Sequence, residues 1–163
     1  MSSESARASS AAEARFRIDD ANSRQRAVKV VALDARSEAV VRRLAAAKWG
    51  GTGFVTAAAF ATAPGAGVRL ATIDERGRPN PVAACDDVDL VALIATAGEE
   101  LAAARVIGEA CRGATTIALV LTGPSTAREA LSRTLARLRP WTLMLTIAED
   151  EDCIGEVLRA LRA

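Results

Sequence analysis

The residues that could do chemistry fall in three short stretches, each placed just after an apolar run. They are Asp34-Ala35-Arg36-Ser37, Thr96-Ala97-Gly98-Glu99 and Thr122-Gly123-Pro124-Ser125-Thr126. Carboxylates and hydroxyls of this kind could serve acid–base or group-transfer chemistry, with Asp34, Thr96, Glu99, Thr122 and Ser125 as the participants. The same stretches offer backbone amides at helix starts, which hold anions without a charged side chain. Each also has a plainer reading. Thr126 with Glu129, and Thr96 with Glu99, have capping-box spacing, and Asp34-Arg36 fits a solvated turn. The chain contains no histidine, so a His-based triad, an imidazole proton shuttle and a His metal site are excluded.

The elements that must position these residues alternate between strand and helix. The pattern is clearest from Asp86 to Pro124, where an apolar run (Leu90 to Ala95), a helix (Gly98 to Arg112) and a second apolar run (Thr115 to Leu121) follow in order. In that helix Leu101, Ala104, Ile107 and Cys111 share one face. Upstream, Val28 to Leu33 reads as a strand. Ser37 reads as the N-cap of a helix whose buried stripe is Val40, Val41, Leu44 and Ala45, ended by Gly50-Gly51-Thr52-Gly53. Phe54 to Ala61 and Val68 to Ile73 suggest two strands around Pro64-Gly65-Ala66-Gly67, with Asp74 to Pro81 as loop. Downstream, a helix carries Ala127, Leu131, Leu135 and Leu138 and stops before Pro140. Trp141 to Ile147 reads as a last strand, and Glu151 to Leu161 as a closing helix.

Continuous apolar runs mean strands covered on both faces, and right-handed crossovers put helices on the two sides of one sheet. The expected fold is a three-layer α/β domain with a mostly parallel, Rossmann-like sheet. In such a sheet the loops at the carboxyl ends of the strands meet at the switch in strand order. The expected ligand-binding residues are therefore Asp34, Arg36, Ser37, Thr96, Gly98, Thr122, Gly123, Ser125 and Thr126, with no catalytic residue and no metal ligand assigned. Residues 27–163 form the expected single domain. Residues 1–26, rich in Ala, Ser and Arg, read as a solvated tail.

Composition narrows the partners. Lys and Arg number 21 against 20 Asp and Glu, so no whole-molecule field draws the chain to nucleic acid or to an anionic membrane. With no tyrosine, and Phe16, Phe54, Phe60, Trp49 and Trp141 as the only aromatics, stacking platforms for bases are scarce. No apolar run approaches the roughly 20 residues needed to cross a bilayer. Cys85, Cys111 and Cys153 are widely spaced, which argues against a disulfide framework or a zinc knuckle and favours a reducing cytoplasm. Asp86, Asp87 and Asp89 lack the spaced acids and glycine of a calcium loop, and Glu149-Asp150-Glu151-Asp152 suits a helix N-terminus better than a magnesium site.

The order of elements resembles the nucleotide-binding domain of the FtsZ/tubulin family. The similarity is carried by Asp89-Leu90-Val91-Ala92-Leu93-Ile94-Ala95-Thr96-Ala97-Gly98, Ala102 to Ala110, and Ile117-Ala118-Leu119-Val120-Leu121-Thr122-Gly123-Pro124, with Val28-Lys29-Val30-Val31 as the counterpart of the first strand. Family members hold phosphates on glycine-rich loops after the first and fourth strands. Here those loops read Asp34-Ala35-Arg36-Ser37 and Thr96-Ala97-Gly98-Glu99-Glu100, and the carboxylates of Asp34, Glu99 and Glu100 oppose phosphate. The family's acidic hydrolytic loop lies beyond the counterpart of Ala163. The resemblance thus implies a shortened, non-catalytic relative with no cofactor, which acts as a regulatory or partner-binding protein and takes a small polar ligand at the carboxyl edge of the sheet. A small α/β enzyme and a self-associating structural module, its Ala-rich helices packing on a second copy to give a homodimer, are the alternatives.

Overall fold

The computed structural model describes residues 26–57, 70–73, 79–81 and 88–161. Along them run β1 (Val28–Ala32), α1 (Ala35–Ala45), β2 (Thr52–Ala57), β3 (Leu70–Ile73), β4 (Pro79–Pro81), β5 (Leu90–Thr96), α2 (Ala102–Ala110), β6 (Thr115–Leu121), α3 (Arg128–Leu138), a 3₁₀ turn (Arg139–Trp141), β7 (Met144–Ala148) and α4 (Glu151–Ala160). The strands make one seven-stranded sheet in the order β4-β3-β2-β1-β5-β6-β7. From β2 to β7 every neighbouring pair is parallel, while β3 and β4 join antiparallel at one edge. The fold is therefore a three-layer, Rossmann-like α/β domain.

Strand composition explains the middle layer. All seven residues of β5, LVALIAT, are buried, as are the last six of β6. Such strands need a helix on each face. On one side Val40 and Val41 of α1 and Ile154 and Leu158 of α4 pack against Val30, Ala92, Ile94 and Leu119. On the other side Ala103, Ala104 and Ile107 of α2 and Leu138 of α3 pack against Val31, Leu93, Ala118 and Val120. The two sets alternate along each strand, as the two-residue period of a pleated strand requires.

Several local expectations are corrected. Asp34, not Ser37, is the N-cap of α1; Ser37 is the reciprocal partner of a capping box. Neither α2 nor α3 has a side-chain cap, since their N-cap positions are Leu101 and Ala127. Thr96 and Thr126 are bonded elsewhere, so both proposed capping boxes are absent. Pro79–Pro81, taken as loop, lies in the sheet as β4. Trp141 closes a 3₁₀ turn and the last strand begins only at Met144. Asp89 accepts a bond from the Ala27 amide at 2.9 Å, which fastens the entry of β5 to that of β1. Cys111 is buried and disulfide-bonded, which the spacing of the cysteines gave no reason to expect, whereas Cys153 is free. The tail expected over residues 1–26, apart from Arg26, and the turn at Pro64 lie outside the described residues.

Candidate functional site

The chain leaves β1 in one direction and β5 in the other, so the strand order reverses between them, and in this fold class that is where a crevice opens. The structure places Asp34 and Thr96 there and joins them. Oδ2 of Asp34 accepts from the Thr96 amide at 2.7 Å, and Oδ1 accepts from the Thr96 hydroxyl at 3.0 Å. Oδ1 also accepts from the amides of Arg36 at 3.0 Å and Ser37 at 2.8 Å, at the start of α1. An ionised carboxylate has about four acceptor sites; here Oδ1 is saturated by three donors and Oδ2 takes one. Asp34 is thus an internal anion at a helix N-terminus, where the amides and the helix dipole would otherwise favour an external one.

Ser37 is fully buried, and its hydroxyl closes a small ring by donating to the Asp34 carbonyl at 2.9 Å and accepting from the Asp34 amide at 3.1 Å. The β6–α3 loop is closed on itself in a similar way. Gly123 donates to Thr126 Oγ1 at 2.7 Å, Thr126 donates back to the Gly123 carbonyl at 3.0 Å, and Thr122 bonds the Ala148 carbonyl through its amide at 2.9 Å and its hydroxyl at 3.3 Å. Ser125 lies exposed on this loop. Arg36 bridges toward it: a Cβ placed on Gly123 would lie 3.7 Å from Arg36 Nη2. Eight of the nine expected residues therefore gather along one seam, and most of their polar atoms are used up within it.

Gly98, the ninth, turns away. It adopts φ of 93°, a left-handed conformation that suits glycine, and its amide donates to Thr134 Oγ1 of α3 at 3.0 Å. Beside that bond a cleft of about 220 Å³ opens between the β5–α2 loop and α3, lined by Gly98, Glu99, Glu100, Ala130, Arg133, Thr134 and Arg137. Glu99 and Glu100 line one wall and Arg133 and Arg137 the other, and among the described residues none of the four takes part in an ion pair. Sequence reasoning found only Gly98 and the two glutamates of this cleft. The missed signal was the spacing of Ala130, Arg133, Thr134 and Arg137, which puts them on one stripe of α3 beside its apolar stripe.

A second polar link ties α1 to β2. Glu38 accepts from Thr56 Oγ1 at 2.8 Å and from Arg42 Nε at 2.9 Å. Partial burial alone would raise its pKa, but the Thr56 hydroxyl and the Arg42 guanidinium outweigh this and hold it below the usual carboxylate value of 4.5. Among the described residues no group of three or more Asp, Glu, Cys or His is placed to hold a metal ion. No described helix is long and apolar enough to cross a membrane.

The chain matches no protein-family model and no curated protein.

Proposed function

We propose that this chain is a non-catalytic, regulatory or partner-binding α/β domain, a relative of the FtsZ/tubulin nucleotide domain in which the phosphate position is filled from within. The observation that carries the reading is the Asp34 carboxylate bonded to the amides of Arg36, Ser37 and Thr96. An incoming phosphate would have to displace that carboxylate and sit against its charge. At about 4 Å in a surface-like dielectric the repulsion costs roughly 4 kcal/mol, comparable to several hydrogen bonds. Catalysis is disfavoured by the same bonding, since the Asp34 carboxylate is held by four donors of its own chain and would have to break some of those bonds to turn toward a substrate.

A small polar ligand fits the neighbouring cleft better than the seam. Arg133 and Arg137 would hold a carboxylate or phosphate group, and Glu99 and Glu100 a cationic one, so a ligand bearing both charges suits the two walls. Thermal shift of the full chain against guanine nucleotides, acyl and sugar phosphates, and amino acids tests the assignment. Stabilisation by a dipolar or monoanionic compound, abolished by Arg133→Ala with Arg137→Ala, is the expected result. Stabilisation by nucleotide that survives both substitutions would contradict it. We propose a reducing cytoplasm from the wide spacing of the cysteines in the sequence. The disulfide at Cys111 counts against that compartment, and subcellular fractionation of the tagged chain decides it.

A further inference from the structure

The two edges of the sheet are built differently. β4 begins and ends with proline, and a proline lacks the amide needed to extend a ladder. β7, at the opposite edge, reads Met-Leu-Thr-Ile-Ala, with neither proline nor charge. β6 lies along one side of it, and among the described residues no strand lies along the other. Three apolar side chains in this region are open to solvent, Leu143 at 84%, Ile147 at 48% and Met144 at 38%. Strand edges left in water are ordinarily guarded by charge, proline or a bulge, and this one is not.

Charges flanking β7 identify what fits it. Arg139 precedes the strand, and Glu149 and Asp152 follow it; all three are exposed and take part in none of the ion pairs among the described residues. If a second β7 ran parallel, like charges would meet at each end. Run antiparallel, it sets the basic end of one copy beside the acidic end of the other, twice, about a two-fold axis normal to the sheet. We infer that β7 is a self-association edge, on which a second copy of this chain pairs antiparallel and continues the sheet through both molecules. A strand this short covers less than the roughly 1,200 Å² of a standard interface, so the dimer is reversible and dissociates on dilution.

Sedimentation velocity on the full chain over a concentration series tests this inference, which stands independently of the cleft. The expected result is a concentration-dependent rise from 17.0 kDa to twice that mass, weakened several-fold by high salt. Ile147→Lys, and separately Leu143→Lys, should hold the protein monomeric with unchanged far-UV circular dichroism. Arg139→Glu should weaken the dimer, and adding Asp152→Arg to it should restore association. A chain that stays monomeric throughout, or a dimer as tight in both lysine variants as in the parent, would overturn the inference. So would slow exchange, in the dilute monomer, of the β7 amides that point away from β6, because another part of the chain would then cover that edge.

Discussion

Asp34 joins two jobs that are usually separate, capping α1 and tying the β1 exit to the β5 exit. Asp34→Ala should therefore cost more than a lost cap, which is typically about 1 kcal/mol, because it also leaves the Thr96 amide without its acceptor. The combined loss should be about 2–4 kcal/mol in urea unfolding, whereas Thr96→Val, which removes only the hydroxyl bond and keeps the amide bond, should lose about 1 kcal/mol. Equal effects of the two substitutions would show that the cap and the Thr96 amide bond add nothing beyond the hydroxyl bond. Glu38 gives a pH signature. Its folded pKa lies below 4.5, so its stabilisation is present above 4.5 and is lost as pH falls through the depressed value. Glu38→Gln should flatten this part of the acid limb of stability against pH, and an unchanged slope would mean that the Thr56 and Arg42 contacts do not form in solution.

Between elements, α2 meets the turn after α3 in a close contact at a glycine. A Cβ on Gly108 would stand 2.9 Å from the Trp141 Cβ and 3.0 Å from its Cε3, so only glycine admits the indole at that distance. Gly108→Ala should destabilise the fold by about 1–3 kcal/mol through overpacking, despite alanine's better helix propensity. A stabilised variant in thermal unfolding would show that Trp141 can move aside freely. This contact also marks how far the sequence could be read. Strands β1, β5 and β6 were legible because their apolar runs are continuous, and the helix faces followed from Leu101, Ala104, Ile107 and Cys111 recurring at helical spacing. The start of α4 at Glu151 was legible from its acidic run, but those of α2 and α3 were not: Thr96 and Thr126 have capping spacing, but Thr96 is recruited by Asp34 across 62 residues of chain and Thr126 by Gly123 within its own loop. The cleft was hidden for a related reason. Its two walls come from the β5–α2 loop and α3, distant in sequence and linked by the Gly98–Thr134 bond.

For the molecule as a whole, the sheet order that brings the β1 and β5 exits together builds a crevice where this fold class binds ligands, and the chain fills it with its own carboxylate. The near balance of charge adds no long-range attraction that would compensate. On the function proposed above, binding falls to the charged cleft beside α3, and on the further inference association falls to the unguarded edge at β7. The most direct test of this account is calorimetric titration of the full chain with guanine nucleotide and magnesium. The account requires no saturable heat from the parent protein at any workable concentration. Tight, magnesium-dependent binding would show that the Asp34 carboxylate gives way to phosphate and would contradict it.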